Sequence, residues 1–219
     1  MKRYLLALSM LAMLAVCNVT FADEECCSEG KCDGTCSVAA AMEQMPKMTY
    51  KVGEESTCCS ASAEKLAEES GSPILFVVED KEYTDKMEAM TSLADASEKF
   101  VSSYVTPHTC DVSGTTTLAG QKMPCGESAK AMAKVMKEAM DHVQLVYKVG
   151  DESCHCPVEA KQLAEKSGAK TEYVVNGEST CCSVDARVKM AQAKFKAALQ
   201  ALASAQQSAE ETKPVSTSS

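Results

Sequence analysis

The sequence predicts an α+β protein made of tandem ββα units, each a hairpin followed by a helix with a cysteine at its start, plus a long C-terminal helix. Three observations lead there. The motif YKVG-[ED]-ES occurs at Tyr50 to Ser56 and again at Tyr147 to Ser153. Cys59, Cys125, Cys156 and Cys182 share one sequence frame: Tyr50, Thr116, Tyr147 or Tyr173 nine residues before, and Ala63, Ala129, Ala160 or Ala186 four after. Between them stands a turn pair, Gly53-Glu54, Ala119-Gly120, Gly150-Asp151 or Asn176-Gly177.

A β-rich run, a two-residue turn and a second extended run together signal a hairpin. This frame predicts hairpins over 50–58, 76–84, 116–124, 147–155 and 173–181, each leading into a helix. The 76 unit keeps the frame, from Phe76 through Glu79-Asp80 to Ala89, but has Asp85 in place of the thiol. Cys36, with Gly30 before it and Ala40 after it, fits a degenerate first unit. Pro157 suits a first helical position, and Gly71 and Gly168 suit helix C-caps. A single ββα unit is too small to bury its apolar face, so neighbours must associate. The 147 and 173 units are expected to pair, and the 50 and 76 units likewise.

Taken in order, residues 1–22 carry Lys2 and Arg3, an apolar run from Leu5 to Val16 and Thr20-Phe21-Ala22, which reads as a cleavable signal peptide. A Cys-rich segment (23–47), repeat block A (48–110), a central unit (111–145), repeat block B (146–208) and a polar, disordered tail (209–219) follow. No second apolar run is long enough to span a membrane. Export to a periplasm or the exterior is therefore expected.

Three helices carry apolar stripes at helical spacing. Val184, Val188, Ala191, Phe195, Leu199 and Leu202 mark the C-terminal helix, and Met90, Leu93, Ala94, Ser97, Val101 and Tyr104 mark one near 86–105. Met132, Met136 and Met140 lie four apart on the central helix. Thioether ladders bind Cu(I), but methionine more often fills a core, and the core reading is preferred. The formal charge of -9, more negative once Lys2 and Arg3 leave, argues against nucleic acid as a partner. Without tryptophan, the core must rest on Val, Leu, Met and Ala.

The chain has 13 cysteines. Cys17 leaves with the signal peptide, and the rest fall into three groups of four: Cys26, Cys27, Cys32, Cys36; Cys58, Cys59, Cys110, Cys125; and Cys154, Cys156, Cys181, Cys182. An even count in an exported chain makes disulfides the default, while four thiolates are also the ligand set of a structural zinc site. Counting does not separate the two. A cysteine at a helix N-cap faces the positive end of the helix dipole, which stabilises the thiolate as ligand or nucleophile. His155 adds an imidazole within Cys154-His155-Cys156, whereas His108 and His142 read as surface residues. Pairing of the two helix starts in block B predicts that Cys156 and Cys182, flanked by Cys154 and Cys181, share one site. Because the 76 unit lacks a thiol, Cys58 and Cys59 must look to Cys110 or Cys125.

No C-x-x-C, H-E-x-x-H, G-x-S-x-G or Gly-rich phosphate loop occurs, so an enzyme is not expected. A hairpin with a glycine turn delivering a cysteine to a helix start, as in YKVGDESCHCPVEAKQLA, resembles the TRASH and YHS families of small metal-binding knuckles. Those families place a second cysteine on the helix, where this chain has Glu159, Ala160 and Lys161. The layout also looks like that of exported Cys-rich repeat proteins of environmental bacteria. The expected function is capture of a soft metal ion, Zn²⁺ or Cu(I), by the clustered cysteines. The alternatives are a disulfide-stapled module that engages a protein partner and, third, thiol-disulfide exchange at Cys154-His155-Cys156.

Overall fold

The computed structural model describes residues 35–211, which belong to a compact unit beginning at Gly34. Residues 1–34, with the segment expected to be a signal peptide and Cys26, Cys27 and Cys32, and the chain beyond 211 lie outside the described residues. The elements run α1 (Thr35–Met42), β1 (Met48–Val52), β2 (Glu55–Thr57), α2 (Ser60–Ser70), β3 (Ile74–Val78), β4 (Lys81–Tyr83) and α3 (Lys86–Tyr104). Then come β5 (His108–Thr109), β6 (Thr116–Leu118), β7 (Gln121–Lys122) and α4 (Gly126–Asp141). The last are β8 (Leu145–Val149), β9 (Glu152–Cys154), α5 (Pro157–Ser167), β10 (Thr171–Val175), β11 (Glu178–Thr180) and α6 (Ser183–Glu211). The architecture is mixed α and antiparallel β. Cys36 falls inside α1, and α6 runs into the segment expected to be a tail.

The strands form two four-stranded sheets, ordered β2-β1-β3-β4 and β11-β10-β8-β9, and one three-stranded sheet, β5-β6-β7. Each larger sheet is two hairpins joined through their first strands. In one, Tyr50 lies opposite Phe76, flanked by Val52 opposite Ile74 and Met48 opposite Val78. In the other, Tyr147 lies opposite Tyr173, flanked by Val149 opposite Thr171 and Leu145 opposite Val175. The registers are symmetric about the central pair, so each sheet has a local pseudo-twofold there. The rings meet edge-on at that point, with centroids 5.8 Å apart for Tyr50–Phe76 and 5.7 Å for Tyr147–Tyr173.

Residues paired across an antiparallel ladder share a face, and alternate residues along a strand share it too. Tyr147, Val149, Tyr173, Val175 and Cys154 therefore point to one side, where Val149, Cys154 and Ala160 form a small buried cluster with Leu163 and Ala164 of α5. The tight hairpins need left-handed backbone at their tips, which Gly53 (φ 60°) and Gly150 (φ 61°) accept freely. Asn176, Ala119 and Glu79 hold the same conformation at the corresponding turns.

The shared alanine four residues after each helix start has a double explanation. Its N–H donates the first helical hydrogen bond to the carbonyl of the starting residue, as in Ala63 to Cys59 (3.0 Å), Ala160 to Cys156 (3.0 Å) and Ala89 to Asp85 (3.1 Å). Its methyl is also almost wholly buried, from 0% exposed at Ala63, Ala89 and Ala129 to 2% at Ala160. A larger side chain has no room there.

The main core lies among the long helices. Phe195, fully buried on α6, meets Phe100 and Tyr104 of α3 edge-on at 5.2 Å and 4.8 Å. Val101, Ala191, Leu199, Ala41 and Met45 close around it, so α1 joins the same core. Met136 is fully buried between α4 and α6 with Leu118 and Leu202, and Met132 and Met140 pack against this cluster. The methionine ladder is core. Arg187 of α6 ties α3 through Glu98 (2.8 Å) and Asp95 (2.7 Å). Among the described residues, no helix is long and apolar enough to cross a membrane.

Candidate thiol sites

Five helices follow directly on hairpins, and the residue at the start of each sets the chemistry. At α3 this is Asp85, whose carboxylate accepts hydrogen bonds from Met87 N–H (2.8 Å) and Glu88 N–H (2.9 Å). It satisfies two of the donors that a helix start leaves unpaired. Cys59, Cys125 and Cys156 occupy the same N-cap position, in extended backbone, at α2, α4 and α5. Cys182 immediately precedes α6. An anion is favoured at this spot.

The third helical position distinguishes the starts. Cys125 Sγ accepts from Ser128 N–H at 3.4 Å and lies 3.3 Å from Ser128 Oγ. These hydrogen bonds hold the Cys125 thiol below its usual range, against a smaller opposing effect of desolvation. Cys59 is held down in the same way, first by the N–H and hydroxyl of Ser62 and then by Ala61 N–H, although none is a well-aligned bond. Cys110 sits on the turn between β5 and β6, where the Ser113 hydroxyl and N–H lower it. Three C-x-x-S sequences thus place a donor over a sulfur. The chain has no C-x-x-C, and the signal for these serines in the sequence is the capping-box spacing. At Cys156 and Cys182 the third position is Glu159 or Asp185, a carboxylate that has no proton to donate at neutral pH.

A second distinction lies two residues before the helix start. Thr57 and Thr180 accept a hydrogen bond from the N–H of Cys59 and Cys182, each at 3.2 Å. Cys154 takes that position before Cys156. It is 7% exposed, and its thiol points at the Cys156 carbonyl at 3.6 Å. Both sulfurs stand near Tyr147, whose phenol is raised chiefly by burial, then by Tyr173, Cys156 and Cys154. His155 between them is exposed.

The expected meeting of Cys156 with Cys182 does not occur, and the sheet order supplies the reason. The hairpins join through their first strands, so the second strands, which lead to the helices, form the outer edges. Cys154, Tyr147, Tyr173 and Thr180 make one row across four strands. Three strand spacings put the ends of that row about 14 Å apart. β9 and β11 then run in opposite directions, carrying Cys156 and Cys182 further apart. This exceeds the ~7 Å Cα limit for a bridge. The pseudo-twofold that pairs the units separates their helix starts.

The second group is dispersed as well. Cys58 and Cys59 lie beside the first four-stranded sheet, whereas Cys110 and Cys125 belong to the three-stranded sheet and α4. Among the described residues, no cluster of three or more His, Cys, Asp or Glu side chains is arranged to hold one metal ion, and the cysteines from Cys58 to Cys182 are all free. What remains are local pairs: Cys58-Cys59, Cys154 with Cys156, and Cys181-Cys182. Of the first group, Cys26, Cys27 and Cys32 lie outside the described residues, and Cys36 is on α1. In comparisons with known proteins, no family model matches the chain, and neither a curated protein nor a solved structure does.

Proposed function

We propose that this is an exported, non-enzymatic protein of tandem ββα units that captures a soft metal ion through pairs of thiolates at its helix starts. The observation that carries the reading is the equivalence of Asp85 with Cys59, Cys125 and Cys156. Where one helix start has a capping carboxylate, the others have thiols in the same anion-favouring position. Soft thiolates select Cu(I) or Zn²⁺, and structural zinc takes four ligands. Pairs that stand alone favour Cu(I), which is content with two. Cys154 and Cys156 are the best-formed pair: the Cys154 thiol points at the Cys156 carbonyl, and both share Tyr147 as neighbour.

The test is anaerobic titration of the reduced protein with Cu(I) against a competing chelator. Retained copper that falls by one ion in C154S/C156S supports the reading. Unchanged stoichiometry in that variant, or tighter retention of Zn²⁺ than of Cu(I), refutes the two-thiolate site. Sheet order argues against an internal bridge between Cys156 and Cys182, so a disulfide module rests on other pairings or on a partner. Loss of two mass units per cysteine pair in protein from its native compartment would favour that alternative.

A second reading has its own observation. Cys59, Cys110 and Cys125 are exposed or half-exposed thiols lowered by Ser62, Ser113 and Ser128, and an accessible, lowered thiol supplies more of the thiolate that attacks a disulfide. Formation of mixed disulfides at these three, ahead of the other cysteines, on incubation with oxidised glutathione is the outcome expected of it.

A further inference from the structure

One groove among the described residues contains no cysteine. It is a groove of about 620 Å³ between α3, α4 and α6. Its apolar lining comes from Val101 and Val105 of α3, Ala133 and Met140 of α4, and Met190 and Ala191 of α6. The polar lining is strongly one-signed. Lys130, Lys134 and Lys137 line one wall along α4, Arg187 and Lys194 line the other along α6, and among the described residues Glu98 is the only carboxylate in it. That bias runs against the chain as a whole, which has 31 acidic and 22 basic residues.

Three of the five cations have partners: Lys130 with Glu127, Lys134 with Glu138, and Arg187 with Asp95 and Glu98. Among the described residues, Lys137 and Lys194 have no ion-pair partner. Two ammonium groups without an ion-pair partner among the described residues thus line one apolar trough, one from α4 and one from α6. The helix spacing explains the arrangement. Lys130, Ala133, Lys134, Lys137 and Met140 recur at three and four residues, which places them on one face of α4. Arg187, Met190, Ala191 and Lys194 do the same on α6.

We propose that this groove binds a small anionic amphiphile, a single-chain carboxylate whose tail lies along Val101, Ala133 and Met190 and whose headgroup is held by Lys137 and Lys194. The volume lies within the ~300–1,000 Å³ of small-molecule sites, whereas a stable protein partner needs an interface of about 1,000 Å² or more. Charge complementarity selects the sign of the ligand, and the apolar trough requires a tail.

The experiment uses the signal-cleaved chain and dodecanoate below its micellar concentration, followed by calorimetry. One dodecanoate per chain is expected, with no comparable binding of butanoate or of dodecyltrimethylammonium. K137E/K194E should weaken binding at least tenfold with an unchanged Tm, because neither lysine holds a structural ion pair. A133F, which fills the trough from the other end of the argument, should weaken it as well, with folding checked by circular dichroism. Equal binding of the cationic amphiphile, full binding by folded K137E/K194E, or no binding of dodecanoate by the wild type overturns the proposal. Co-flotation with phosphatidylglycerol vesicles in place of dodecanoate binding also overturns it, since the surface would then read a membrane and not a free chain.

Discussion

The two four-stranded sheets share one interior and differ at their edges. Both join two hairpins through first strands, both centre on an edge-on ring pair, and both bury a valine at the turn end of the first strands, Val52 and Val78 in one and Val149 and Val175 in the other. At the edges the first sheet offers Thr57-Cys58-Cys59 with Ser62, and Asp85 across from it. The second offers Cys154-His155-Cys156 with Glu159, and Thr180-Cys181-Cys182 with Asp185. The comparison teaches that packing is fixed by the row through the pseudo-twofold, while the outer ends of that row are free to change chemistry. Cys154 joins the buried cluster of Val149 and Ala160, whereas Cys59, Asp85 and Cys156, each two residues beyond the row, are exposed.

The strongest test removes the shared interior. Tyr50→Ala and Tyr147→Ala each delete a half-buried ring and its edge-on contact with Phe76 or Tyr173, and each should cost about 2–3 kcal/mol in urea unfolding, somewhat less than the ~3–5 kcal/mol of a fully buried aromatic. Near-equal losses would support the equivalence of the two sheets. A loss at one position alone would mean that the ring pair matters in only one of them.

The next largest effect lies at the edge. Asp85→Ala leaves two helix N–H donors without their acceptor and should lower stability by about 1–2 kcal/mol. Cys59→Ala should cost less, because Cys59 makes no well-aligned capping bond. Thermal unfolding of the two variants checks the order, and a larger loss at Cys59 would reverse the account of which residue is the better cap.

Positions of hairpins and helices were legible because each is set by local chemistry: the Asn-Gly and Gly-Asp turns, the buried alanine under each helix start, and glycine at the C-caps of α2 and α5. Met136 and Phe195 were equally readable as core from spacing alone. The site was less legible. Local spacing brings Cys156 to a helix start, but which strands form the sheet centre is a matter of long-range pairing, and that decided that Cys156 and Cys182 part. The lysine-lined groove was missed for a similar reason: Lys137 and Lys194 look like solvated helix faces until α4 and α6 are side by side.

A smaller effect should appear at the hairpin tips. Glu79 holds a left-handed φ of 54°, where Gly53 and Gly150 stand at the corresponding turns. A residue with a Cβ is strained there by about 1–2 kcal/mol. Glu79→Gly should therefore raise stability by roughly 0.5–1 kcal/mol once the entropy cost of glycine is deducted. An unchanged or lower denaturation midpoint would show that the turn relaxes around the glutamate.

The smallest effect is electrostatic and separates the C-x-x-S starts from those with a carboxylate. In a Cys58→Ser background, the alkylation rate of Cys59 should rise with pH at a midpoint below the ordinary thiol value of 9.0, because Ser62 stabilises the thiolate. Ser62→Ala should move that midpoint up, and Ser62→Glu further, since a carboxylate at that place repels a thiolate and donates nothing. The same shift has a stability counterpart with a defined sign. Cys59 is lowered in the folded chain, so its contribution is complete above the unfolded value of 9.0 and is lost as pH falls through the lowered folded value. Wild type minus Ser62→Ala should therefore show a stability difference that grows with pH across that window and then levels off. Peptide mapping after timed iodoacetamide exposure measures the first quantity and urea midpoints the second. A Cys59 midpoint indifferent to Ser62 would remove the serine from the mechanism and leave the helix start as the sole source of activation.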